Sequence, residues 1–176
     1  MKKIKKRTVK YPVKIHKLAK PLAEARHIAS GDSHYGKGTK GYRENDLEVH
    51  EQGIVGELIG QYVFKDRDCS FAPLFSQVPC PEPDAVIDGE TVDFKGKKPD
   101  DYSNIRIFIN KDAHLNPNKK CDKYMCYLYD ESTLSNGFCE ATEFEIDYSL
   151  VTDWEQADWV QPCFYTDITD DNTEES

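Results

Sequence analysis

The sequence has no long apolar run, no C-x-x-C pair and no internal repeat, and its first twenty residues contain no acidic side chain. Each absence removes a class of protein. A helix needs about 20 consecutive apolar residues to cross a bilayer. Here hydrophobic residues are 38% of the chain and mean hydropathy is −0.72, so no membrane helix is expected. The basic start over residues 1–7 is followed by no apolar h-region, so it does not read as a secretory signal. Without export, the six cysteines are expected as reduced thiols in a cytoplasmic compartment. Cys121 and Cys126 are five apart, which on a strand puts them on opposite faces, a poor geometry for one zinc.

What is present is segregated charge. The first twenty residues hold eight lysines and Arg7 and carry +9, which leaves −18 on the remainder of a chain whose net charge is −9. At 176 residues the length suits one domain. That domain is expected over 1–166, with a basic arm over 1–17 and an acidic, disordered tail over 167–176. A basic arm on an acidic body suits contact with a phosphate backbone. A solvated strand or frayed terminus would explain the same residues.

The most informative stretch is 82–96. Asp88-Gly89 between two β-prone runs predicts a hairpin with a type I′ turn, since both central residues must take positive φ. The register follows: Ile87 opposite Glu90, Val86 opposite Thr91, Ala85 opposite Val92 and Asp84 opposite Asp93. Alternation puts Ala85, Ile87, Val92 and Phe94 on a core face, and Asp84, Val86, Asp93 and Lys95 on the other. Two aspartates facing at close range repel each other. A divalent cation would resolve that conflict, with Mg²⁺ the natural choice for oxygen ligands. A solvated hairpin in which Lys95 offsets the two acids is the plainer reading.

Around it, Leu18 to Ile28 reads as a short helix broken at Gly31, and 46–65 as a longer one capped by Asn45 or Asp46. Val55, Leu58, Ile59 and Tyr62 form the core stripe of the second helix. Gly53, Gly56 and Gly60 beside that stripe would let it approach a sheet closely. Glu57 among them either points at a site or pairs with Lys65 or Arg67. Residues 29–43 interleave glycine, aromatic and basic side chains, including Lys37, Lys40 and Arg43, as in a loop that follows nucleic acid or a plain linker. Strands are expected over 105–109, 124–129 and 138–148. Between the first two lies a polar loop, 110–120, with Lys111, Lys119 and Lys120 as further phosphate contacts. Trp154 and Trp159 mark a terminal segment that packs on the body.

A glutamate on a glycine-rich helix, then Pro83-Asp84, then Asp93-Phe94-Lys95 on the next strand resembles the PD-(D/E)XK nuclease superfamily, over about residues 46–130. The resemblance implies an α/β fold, a mixed central β-sheet flanked by helices with a restriction-endonuclease-like core. It implies Mg²⁺, with Mn²⁺ able to substitute, held by Asp84 and Asp93, and by Glu57 directly or through water. Lys95 would be the catalytic lysine of a phosphodiesterase, a deoxyribonuclease of the endonuclease kind, with DNA as partner. No helix is readable between 96 and 120, where family members often carry one. The residues leave open a catalytically inactive module that binds nucleic acid or a protein on the same fold, and an acidic mimic of nucleic acid.

Overall fold

Positive φ at two successive residues is what turns the chain at the hairpin: Asp88 has φ 50° and Gly89 has φ 85°. The computed structural model describes residues 2–30, 46–74, 83–99, 104–158 and 161–176. In it β3 (Ala85–Ile87) and β4 (Glu90–Lys97) flank that turn, paired as Ala85–Val92, Val86–Thr91 and Ile87–Glu90. The expected core face is buried at Ala85, Ile87, Val92 and Phe94. The expected Asp84–Asp93 pair is not part of the ladder, because β3 begins at Ala85 and Asp84 lies just before it.

The remaining elements are β1 (Ile4–Pro12), α1 (Lys14–Ser30), α2 (Asp46–Phe64), β2 (Cys69–Phe71), β5 (Arg106–Asn110), α3 (Lys111–Leu115), β6 (Lys123–Thr133), β7 (Phe138–Asp147), α4 (Tyr148–Val151), β8 (Glu155–Asp158), β9 (Pro162–Asp167) and β10 (Thr173–Glu175). The class is α/β. A mixed sheet of seven strands runs β10-β1-β7-β6-β4-β3-β2, parallel at β1/β10 and at β4/β6, and a second sheet runs β5-β9-β8.

Strand alternation gives the large sheet two apolar faces. Val9, Tyr11, Val92, Phe94, Met125, Tyr127 and Tyr129 pack with Ile15, Ala19 and Ala23 of α1 and Ile54, Val55 and Ile59 of α2. Ile4, Tyr124, Cys126, Phe144 and Ile146 on the opposite face pack with Ile107, Ile109 and Phe164 of the small sheet, and Trp154 joins them. The result is three layers: helices, large sheet, small sheet. Cys121 and Cys126 fall in the same apolar cluster, not on opposite faces, because Cys121 lies before β6 begins. The five described cysteines are free thiols; Cys80 lies outside the described residues.

The segment expected as a helix from Leu18 starts four residues earlier, at Lys14. The apolar positions Ile15, Ala19 and Ala23 recur every four residues and carry it across Pro21, an interior proline that removes one backbone donor. Between β4 and β6 the strand expected over 105–109 is β5, and the segment expected as a polar loop over 110–120 opens instead with α3, whose first turn is capped by the Asn110 side chain accepting from Ala113 N at 2.9 Å. His114 of α3 is fully buried, hydrogen-bonded to the Tyr124 hydroxyl at 2.7 Å and to Thr152 Oγ1 at 3.2 Å, and stacked on Tyr148. It pins the crossover to β6 and α4.

Two expectations at the termini are corrected. The basic arm is β1, flanked on both sides by acidic strands: Lys5 lies opposite Glu145 and Glu174, Lys6 opposite Glu175, Arg7 opposite Glu143 and Lys10 opposite Glu140. The acidic segment 167–176, expected as a disordered tail, contains β10 on the other side of β1, with Thr173 buried. Opposite charges facing across a ladder stabilise the pairing. Arg7 also reaches Glu143, 2% exposed, which accepts from Arg7 Nε at 2.6 Å and from the Tyr127 hydroxyl at 2.9 Å.

The expected close approach of α2 is present. A Cβ on Gly56 would lie 2.6 Å from the Lys95 carbonyl carbon and 2.7 Å from Gly96 Cα, and one on Gly60 would meet the Phe94 ring. Gly53 has its nearest atom, Arg26 Nη1, at 3.9 Å. Gly56→Ala is therefore expected to destabilise by about 2 kcal/mol through overpacking. Gly53→Ala should be neutral or stabilise by up to about 1 kcal/mol through helix propensity. Urea denaturation of the two variants checks this, and equal effects would show that α2 does not rest on β4 as described.

Candidate active site

Because β3 begins only at Ala85, β4 keeps a backbone donor without a strand partner, and a carboxylate takes that place. Phe94 N donates to Asp84 Oδ2 at 2.8 Å. Asp84 is held from behind as well, since its carbonyl accepts from Ala72 N at 2.9 Å beyond β2. The Asp84 carboxyl is thereby aimed at β4, where Asp93 and Lys95 project to one side. Asp93 Oδ2 lies 2.7 Å from Lys95 Nζ. Lys95 also sits 5.8 Å from the centroid of the Tyr124 ring.

Glu57 approaches from α2, which the glycine contact brings down onto β4. Its partner is neither Lys65 nor Arg67. Arg26, near the end of α1, binds both oxygens at 3.1 and 3.3 Å and also donates to the Leu74 carbonyl. Arg67 pairs instead with Asp88, and Lys65 lies over the Tyr62 ring. No local sequence signal marks Arg26, because 31 residues separate it from Glu57.

The electrostatics are those of crowded acids. Burial first, and then the charges of Asp93 and Glu57, together push Asp84 up to about 8. Glu57 is also raised, by burial first, although Arg26 opposes the shift and Asp93 adds to it. For Lys95 burial works against the charge, but Asp93's charge and hydrogen bond outweigh it and the net direction is up. Cys121 and Cys126 nearby are both pushed up to about 12 by burial, so neither is a thiolate nucleophile. The cluster is reachable from solvent: the side chains of Lys95 and Asp93 are 35% and 33% exposed, and that of Glu57 is 14% exposed.

Asp84, Asp93, Lys95 and Glu57 thus lie in one cluster. Among the described residues no group of three or more His, Cys, Asp and Glu side chains is placed to hold a metal ion. Both Glu57 oxygens are turned to Arg26. Asp84 and Asp93 together are hard oxygen donors whose mutual repulsion a divalent cation would relieve, so a two-aspartate centre fits. The phosphate contacts are less coherent. Lys111 donates to Gln156 Oε1 at 2.6 Å, Lys119 lies in the exposed turn after α3, and Lys120 lies over the Tyr148 ring. None of these is bonded to the acid cluster. Lys37, Lys40 and Arg43 lie outside the described residues, as does Trp159.

No protein-family model, curated protein or solved structure matches the chain.

A carboxyl whose folded pKa is raised holds its proton in the native state where the unfolded chain has released it. Stability therefore falls as pH rises between 3.8 and about 8, and the loss is complete above that window. Thermal melts of wild type against Asp84→Asn across this range should show wild type losing Tm relative to the variant as pH rises. Parallel curves would show that Asp84 ionises like an exposed aspartate.

Proposed function

We propose that this protein is a Mg²⁺-dependent nuclease, a phosphodiesterase with a restriction-endonuclease-like core of the PD-(D/E)XK kind, acting on DNA. The observation that carries this reading is the convergence of Asp84, Asp93 and Lys95 where β4 runs past the start of β3, with Glu57 brought to the same place by α2. The order of α2, the antiparallel strands β2, β3 and β4, then β6 parallel to β4 supports the core assignment. Here β5 and α3 stand in the crossover, where members of that family often carry a helix.

Asp84 and Asp93 would hold the cation, which supplies charge stabilisation at the phosphoryl oxygens and a more acidic bound water. Asp84 must lose its proton for this, so cation binding releases protons and weakens as pH falls. Lys95, with its pKa raised, is a donor and not a base. It orients the attacking water or stabilises charge developing on the phosphate. Water attacks phosphorus in line, the bond to the leaving oxygen breaks, and that oxygen takes up a proton. Arg26 binds both Glu57 oxygens, fixes that carboxyl beside the two aspartates and is a positioning residue.

A non-cleaving module that binds nucleic acid or protein draws on the same Arg26–Glu57 pair, which neutralises the third carboxylate without any metal. Cleavage assays decide between the two. Plasmid DNA, single strands and RNA should be tested with Mg²⁺ and Mn²⁺. Asp84→Asn, Asp93→Asn and Lys95→Ala are each expected to lower the rate by about 100-fold or more while the fold persists. Cleavage of none of these substrates with either metal would hand the site to the binding reading.

A further inference from the structure

A cavity of about 570 Å³ opens beside α3, walled by the end of β5, by α3 with the turn after it, and by the start of β9. Small-molecule sites span roughly 300–1,000 Å³. Two carboxamides in the wall are oriented by backbone donors. Asn110 Oδ1 accepts from Ala113 N at 2.9 Å, so Asn110 Nδ2 is turned to Gln161 and donates to its Oε1 at 2.8 Å. That bond commits the Gln161 oxygen, and among the described residues its NH₂ group has no acceptor. Asn116 Oδ1 accepts from Asn118 N at 2.9 Å, which leaves the Asn116 NH₂ group in the same condition. The wall also holds Asp112 and Lys119, both exposed, and neither forms an ion pair among the described residues. The frame is fixed from inside, where His114 of α3 is bonded to Tyr124 and Thr152.

These side chains offer donors from two amides and an ammonium, and a single carboxylate as acceptor. We propose that the cavity binds a guanine base, with Asp112 accepting from N1–H and the N2 amino group, and with Lys119 and the Asn116 amide donating to O6 and N7. Guanine carries that complement on one planar ring system, two adjacent acceptors and beside them two adjacent N–H donors. A carboxylate takes two parallel hydrogen bonds well. Adenine turns both contacts around, since it sets an acceptor against Asp112 and an amino group against Lys119. The opposite charges of Asp112 and Lys119 cancel, which suits a neutral base better than a phosphate. Ala113 and Pro162 give the ring an apolar contact. The edge in question is open on a nucleotide and on an unpaired guanine in a strand, but cytosine covers it in a duplex. None of the lining residues belongs to the Asp84–Asp93–Lys95 cluster, so the inference goes beyond the nuclease reading and stands apart from it.

The test is calorimetric titration of the whole protein with guanosine, inosine and adenosine monophosphate. Chelator is present throughout, so the result does not depend on whether the protein cleaves. Guanosine monophosphate should bind about tenfold tighter than adenosine monophosphate, with inosine monophosphate, which lacks the N2 amino group, between them. Asp112→Asn should weaken guanosine monophosphate about tenfold and remove its preference over adenosine monophosphate. Lys119→Met should weaken guanosine and inosine monophosphate alike, since both carry O6, and Lys119→Arg should bind as wild type does. Both positions are exposed, so melting temperatures should not move with these changes. Thymidylate strands with one central guanine or adenine separate the sources. A guanine strand bound more tightly than the mononucleotide assigns the site to unpaired nucleic acid, and one bound no more tightly assigns it to a free nucleotide. Four results each overturn the site: no binding of guanosine monophosphate, equal binding of adenosine monophosphate, tighter binding of a free amino acid such as glycine, or wild-type affinity in Asp112→Asn.

Discussion

The contact between α2 and β4 at Gly56 and Gly96 is the constraint on which the rest of the site depends. Two backbones meet there with no side chain between them, since a Cβ on Gly96 would lie 2.8 Å from Gly56 N. One turn further on, Gly60 leaves room for the Phe94 ring. This sets how far α2 stands from the sheet and hence where Glu57 ends up. The same strand presents Val92 and Phe94 to the helices and Asp93 and Lys95 to the other side. A carboxylate from a helix on one face can meet carboxylates associated with the other only at an open edge, and the late start of β3 supplies one.

The edge carries a cost that the local structure absorbs. Ahead of the first residue of β3, Phe94 N would be an unpaired donor, and the Asp84 side chain accepts from it instead. The bond favours the ionised carboxylate, but burial and the neighbouring acids win, because Asp84 is raised to about 8. Arg26 and Lys95 offset part of the remaining charge, one from α1 and one from β4 itself. The cluster is thus a frustrated set of acids held together by the folds around it, the arrangement in which perturbed carboxyl groups are associated with function.

Elsewhere the same charges are structural. The +9 of the first twenty residues is not an arm reaching outward, since β1 is inserted between β7 and β10 and faces acids on both. Charge segregation along the chain becomes charge alternation across the sheet. Glu143 shows the limit of this use, because a carboxylate 2% exposed needs both Arg7 and the Tyr127 hydroxyl to remain there. The second sheet depends on a similar substitution of means. His114 and its partners hold a crossover made of a strand and one short helix, and β5 then meets β9 from the far end of the chain.

Short-range features were legible in the sequence by itself. Asp88-Gly89 has one favourable turn, the turn sets the register, and period-two alternation then assigns Ala85, Ile87, Val92 and Phe94 to the core without further information. The glycines of α2 announced a close approach for a similarly local reason. What only the tertiary structure decided involves partners distant in the chain. Arg26 meets Glu57 because two helices lie side by side, and nothing near either residue encodes that. The acidic end became β10 because β1 offered a complementary edge; composition alone describes such a run as solvated, since it contains no record of what stands beside it. The cross-strand ring pair of Phe108 and Tyr165 likewise exists only once β5 and β9 align, 57 residues apart at that register. Local stereochemistry is written in neighbouring residues, whereas charge and ring partners are set by which strands the whole chain brings together.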